Sequence, residues 1–171
     1  GLVLITKKSL DFLLDFRYFE KAQNTVKHCH VSLLTKVSIQ LPELIKKYNV
    51  DTLYLETGYT TVNDYQFYKK LLKNCTVSTD KKLDEAIIKA RSIKSDAEIK
   101  NIKEAQRITD DTFKYILNKI RPGVTEIDLM LDMEFYLRRQ GSEGVSFDFI
   151  VVSGKNSSMP HGVPTDKPIE F

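Results

Sequence analysis

Four places in the 171-residue chain bring together side chains that could do chemistry. His28-Cys29-His30 is the one dense cluster of soft metal ligands. On a strand the two histidines would share a face, but a zinc-type site needs three or four ligands and none follows at a suitable spacing. The cluster therefore reads as an exposed edge strand. Ser153-Gly154-Lys155-Asn156-Ser157 resembles a phosphate loop only superficially. That loop needs a glycine five residues before Gly154, where Phe149 stands, and a serine or threonine after Lys155, where Asn156 stands. Asp15-Phe16-Arg17-Tyr18 carries opposite charges two residues apart, which reads as an ion pair closing the first hairpin.

Met159-Pro160-His161-Gly162 is the most informative of the four. His161 is the third and last histidine, in a Gly/Pro-rich loop after an apolar stretch. Loops at the ends of rigid elements are where scaffolds present reactive side chains. An imidazole there can donate a hydrogen bond or move a proton near neutral pH. His161 is accordingly the candidate catalytic residue, with an ordinary surface-loop histidine as the other reading.

The elements that must hold this loop follow from the hydrophobic periodicity. Residues 2–5 and 10–14 are apolar runs separated by Thr6-Lys7-Lys8-Ser9, a hairpin pattern. Leu41, Leu44, Ile45 and Tyr48 fall on one face of a helix, and residues 50–55 then read as a buried strand. A further helix starts at Thr61, with Asp64 three residues on and Val62, Tyr65, Tyr68, Leu71 and Leu72 facing inward. After Asp80 the pattern becomes helical. Ser95 and Glu98 form a capping box, and Ile99, Ile102, Thr109, Phe113, Ile116 and Ile120 repeat at helical spacing, as one apolar face of a helix would. Pro122-Gly123 ends that helix, Thr125-Glu126-Ile127-Asp128 begins the next, and Gly141 closes it. Val145, Phe147, Phe149 and Val151 alternate with Ser146, Asp148 and Ile150 and predict a strand.

Composition bounds the rest. Hydrophobic residues make up 42% and charged residues 29%, with 26 Lys+Arg against 23 Asp+Glu. A net charge of +3 without a basic block argues against nucleic acid as a partner. No apolar run approaches the ~20 residues of a spanning helix, so a membrane is not expected either. Two isolated cysteines, Cys29 and Cys75, suggest reduced thiols and a cytoplasmic setting. The fold class read from the alternation is α/β (α+β), with a mixed sheet in the N-terminal part.

From Arg91 onward the chain resembles the proline-specific metallopeptidases of the pita-bread fold, the Xaa-Pro aminopeptidases and dipeptidases. The resemblance rests on Arg91-Ser92-Ile93-Lys94-Ser95 with Glu98-Ile99, and on Pro122-Gly123-Val124-Thr125-Glu126. It continues in Ser146-Phe147-Asp148-Phe149-Ile150-Val151-Val152-Ser153-Gly154, then Asn156 and Pro160-His161-Gly162. Upstream, Leu14-Asp15-Phe16-Arg17-Tyr18 with Ala22 resembles a motif of the creatinase-like N-terminal domain. The resemblance implies a creatinase-like domain over residues 1–80, a helical linker over 81–94, and the start of the pita-bread domain over 95–171.

It also implies hydrolysis of Xaa-Pro peptide bonds by a hydroxide bridging two divalent metal ions, manganese or cobalt, in a homodimer acting on proline-containing peptides. The family's metal ligands are two aspartates, one histidine and two glutamates beyond the Pro-His-Gly loop. The chain is thus expected to be an internal fragment that is inactive by itself, with His161 as its one active-site residue and no metal ligand. In the family the matching histidine hydrogen-bonds the substrate near the scissile carbonyl. The alternative expectation is a non-catalytic peptide-binding module that keeps the fold and has lost its metals.

Overall fold

The computed structural model describes residues 1–171 and divides into two compact units, Gly1–Ser92 and Ile93–Phe171. In the first unit, β1 (Leu2–Ile5) and β2 (Leu10–Leu14) form the expected hairpin, with Leu2 opposite Leu13 and Ile5 opposite Leu10. Thr6 makes the turn: its Oγ1 accepts from Lys8 N–H (3.2 Å) and Ser9 N–H (2.9 Å). The chain then crosses through α1 (Phe16–Thr25) to β3 (His30–Leu33), which pairs parallel to β2. The sheet order β1-β2-β3 makes β2 central, and Leu13 and Leu14 are buried on it.

A second βαβ passage runs from β4 (Thr52–Tyr54) through α3 (Val62–Leu71) to β5 (Thr76–Ser78), a parallel pair outside the first sheet. The edge of β1 and the whole of β4 line one open groove, with Tyr48, Leu83 and Ile87 among its other walls. Between the two passages, α2 (Val37–Lys47) turns Leu41 and Ile45 into the core, where they meet Leu4, Leu72 and Cys75. α4 (Lys82–Ser92) is fastened to this unit by Asp84, whose carboxylate accepts from Thr57 N–H and Oγ1 and from Gly58 N–H.

In the second unit, α5 (Asp96–Leu117) starts at the Ser95–Glu98 capping box and α6 (Glu126–Arg139) at a second box, Thr125–Asp128. Each box satisfies N–H groups that a helix start leaves without partners. The two helices are joined by a turn in which Val124 N–H reaches Arg121 C=O (3.3 Å). Pro122 occupies its second position and Gly123, at φ 88°, its third. A positive φ there is the signature of a type II turn and explains the Pro-Gly pair. Tyr115 of α5 stacks on Tyr136 of α6 with centroids 4.1 Å apart.

Four expectations change. Asp15 and Arg17 do pair (2.8 Å), but Asp15 is the N-cap of α1, accepting from Arg17 N–H, rather than part of a strand. On α5, Ile116 of the expected repeat is buried together with Ile108 and Thr112, while Ile99, Ile102, Thr109 and Phe113 are exposed, as is Ile120 beyond the end of the helix. The apolar surface of α5 is wider than one neighbouring helix covers, and the covered stripe shares only Ile116 with the expected one. On α3, Val62 is exposed as well. Residues 145–151 form no ladder, because no second strand lies beside them. No helix is long and apolar enough to cross a membrane.

The first core makes one quantitative expectation. Leu41→Ala should destabilise the protein by about 2–5 kcal/mol, the range for emptying a packed leucine site. Ile39→Ala, two residues away on the exposed face of α2, should stay within about 0.5 kcal/mol. Urea unfolding reads both as shifts in midpoint at constant slope.

Candidate functional site

The loop carrying His161 is built on the N-terminus of α6. After residues 145–152 the chain makes a short 3-10 turn, Gly154–Ser158, and then a β-turn closed by Gly162 N–H to Met159 C=O (3.1 Å). Pro160 sits at the second position of that turn, where its fixed φ is already suitable, and His161 at the third. His161 is exposed at the tip and Gly162 is buried beneath it. A Cβ on Gly162 would come within 2.7 Å of Val152 Cγ1, so the close approach of turn and incoming chain requires glycine.

The returning chain, residues 165–169, lies against the turn and the first residues of α6. Gly123 N–H reaches Ile169 C=O (3.0 Å) and Ile169 N–H reaches Val124 C=O (2.8 Å). The N–H groups of Glu126 and Ile127, which have no partner within the helix, donate to Lys167 C=O (3.2 Å) and Thr165 C=O (3.1 Å). Helix start and loop end thus complete each other.

Glu126 lies between the two ends of the loop and is fully buried. Its Oε1 accepts from Ser153 N–H (2.6 Å) and Ser153 Oγ (2.9 Å). Its Oε2 accepts from Thr165 N–H (3.1 Å) and Thr165 Oγ1 (2.9 Å). Burial raises the pKa of such a group, but the hydroxyl and backbone donors of Thr165 and Ser153 outweigh it and take it from 4.5 down to about 2. Lys167 Nζ donates to Ser153 C=O (3.2 Å), so Ser153 is held through its N–H, its hydroxyl and its carbonyl. Gly154, at φ 56°, follows directly, and a Cβ there would lie 2.9 Å from Lys167 Nζ.

The other candidate clusters have structural roles. His28 has φ 68° and precedes β3, whereas His30 opens that strand, so the two imidazoles do not share a strand face. Ser153 of the apparent phosphate loop is spent on Glu126. Sequence reasoning singles out His161 but passes over Glu126, Ser153, Thr165 and Lys167. An acid in the first turn of a helix reads as a partner of the helix dipole. Only the contacts across 27 and 39 residues show otherwise.

A pair of divalent metal ions does not fit the residues present. No group of three or more His, Cys, Asp or Glu converges anywhere in the chain. Near His161 the one buried carboxylate, Glu126, already has both oxygens occupied by protein donors.

Comparison with known proteins matches residues 100–171 to metallopeptidase family M24. An uncharacterized peptidase, YqhT, of Bacillus subtilis (strain 168) is 37% identical over 99% of this chain and 48% of its own length. A Xaa-Pro dipeptidase of Pyrococcus horikoshii is 37% identical over 62% of this chain and 30% of its own. Among solved structures, a Xaa-Pro dipeptidase from Bacillus anthracis superposes with a TM-score of 0.86 at 37% identity, covering 98% of this chain and 46% of that one. The chain spans about half the length of the relatives it matches over its whole extent.

Because the folded Glu126 is depressed relative to the unfolded residue, its contribution to the loop is full above about pH 4.5 and is lost as pH falls toward about 2. Protection of the Ser153 and Thr165 amides relative to their intrinsic exchange rates should therefore fall in that acid window, beyond what the residues of α2 show. Equal protection at both places down to pH 2 would contradict the assignment.

Proposed function

From the match of residues 100–171 to metallopeptidase family M24, we propose that the whole protein hydrolyses the peptide bond preceding proline. The first unit is then a creatinase-like domain and the second the opening part of a pita-bread peptidase domain. The half-length coverage of the relatives supports reading these 171 residues as part of a longer enzyme. In that reading a pair of divalent metal ions, manganese or cobalt, would supply the activated water, and residues outside these 171 would hold it. The protein acts as a cytoplasmic homodimer on proline-containing peptides.

What this chain contributes to the chemistry is His161. The observation that carries the reading is its position: an exposed imidazole at the tip of a Pro-His-Gly turn whose base is anchored by buried hydrogen bonds. A donor held by a rigid loop needs little reorganisation when negative charge appears on the scissile carbonyl oxygen. Such preorganised donors are worth most in the transition state. His161 therefore donates to that developing oxyanion and is not itself a metal ligand.

His161→Ala in the full-length protein should lower kcat on a Xaa-Pro peptide by about 10²–10³, the typical effect of removing one oxyanion donor. KM should move less, because the bond strengthens as charge develops. Metal stoichiometry should stay at the wild-type value. A kcat within about twofold of wild type lies far below that loss and would return His161 to the surface-loop reading. Parallel loss of metal and activity would make it a ligand instead.

A further inference from the structure

We propose that Glu126 is the positioning residue of the His161 loop, and that turnover depends on it through His161 and not through fold stability alone. The proposal rests on the peptidase reading above, in which His161 meets the substrate.

The argument starts from the geometry of the clamp. One carboxylate holds Ser153 through one oxygen and Thr165 through the other, and the His161 turn lies between these two points. Each oxygen receives one backbone N–H and one hydroxyl. The hydroxyl contacts could survive a change of acceptor, since an O–H can rotate and accept instead. The backbone N–H groups can only donate. Two N–H groups aimed at two different oxygens of one buried side chain require an acceptor at both, and among the residues only a carboxylate supplies it. Glutamine would turn an NH₂ toward one of them, leaving donor facing donor in a site without water access. Aspartate is one methylene too short to span both ends.

The clamp also sets direction. Ser153 is fixed at three atoms, so the 3-10 turn after it starts from a fixed point. Gly162 is packed against Val152, which ties the His161 turn to the residue before that point. A change at Glu126 therefore reaches His161 through Ser153, Val152 and Gly162. His161 itself contributes no bond to the clamp. Loss of one arm lets the loop shift while the helices beneath it keep their own packing.

The test is a cycle of four full-length proteins: wild type, Glu126→Gln, His161→Ala and the double variant. Glu126→Gln should lower kcat on a Xaa-Pro peptide by about 10-fold to 100-fold, the scale of a misplaced catalytic group, with KM moving less and metal stoichiometry unchanged. In the His161→Ala background the same change should cost less than about twofold, because groups acting as one unit are not additive. Should Glu126→Gln fail to fold, Thr165→Val removes only the hydroxyl half of one arm and should show the same dependence on His161. Equal kcat losses from either substitution in both backgrounds would overturn the proposal and leave Glu126 a structural anchor. Absence of turnover in wild type would instead refute the peptidase reading. The positioning claim is then decided by the His161 imidazole signals in NMR: one narrow set in wild type that broadens or splits in Glu126→Gln supports it, and unchanged signals overturn it.

Discussion

A carboxylate taken wholly out of water and given no cation is the constraint around which the second unit is arranged. Burying a charge is tolerated only when its lone pairs are fully used. Glu126 uses them on four donors from two residues far apart in sequence. Its neighbours follow from that need. Thr165 and Ser153 must carry hydroxyls, the chain between them must loop out and return, and the first N–H groups of α6 must find the carbonyls of the returning chain. The positive end of the α6 dipole favours the charge in the same place. Remove the carboxylate, and helix start, loop entry and loop exit lose their common point.

The first unit uses the same device on a smaller scale. Asp84 of α4 accepts from the backbone of Thr57 and Gly58 and from the Thr57 hydroxyl, fixing a loop to a helix. Its pKa too is lowered, the backbone and hydroxyl donors of Thr57 prevailing over desolvation. The difference lies in burial and reach. Asp84 bridges neighbouring residues of one turn, so it fastens a single point. Glu126 bridges the two ends of a loop, so it fixes position and direction together, which is what the role proposed for His161 at the loop tip needs.

The sequence is legible where the physics is local. Capping boxes at Thr61, Ser95 and Thr125 place three helix starts because donor and acceptor lie three residues apart. Leu41 and Ile45 mark the core side of α2 because the helix has one buried face. The reading fails where the outcome depends on distant partners. Asp15 looks like part of a strand because a cap and a strand end share short polar residues. On α5, two apolar stripes compete, and periodicity cannot say which one α6 covers. Residues 145–151 alternate like a strand, yet a strand exists only where another lies beside it. Glu126 is the extreme case: its role is set by residues 27 and 39 positions away, and its own surroundings in sequence describe only a helix start.

The sequence draws attention to His161 and not to Glu126, and the contrast follows from the role proposed for each. A histidine in a Gly/Pro-rich turn is informative by residue type alone, because imidazole chemistry travels with the side chain. A positioning carboxylate carries no such mark; it matters only through what it holds. An exposed imidazole on an untethered loop would sample many orientations and lose much of its value as a donor, since holding groups in place is itself a large part of catalysis. The buried clamp removes that freedom without covering the imidazole. Stability below the loop and accessibility at its tip are thereby separated, and the Pro160–Gly162 turn needs no packing of its own beyond Gly162 on Val152.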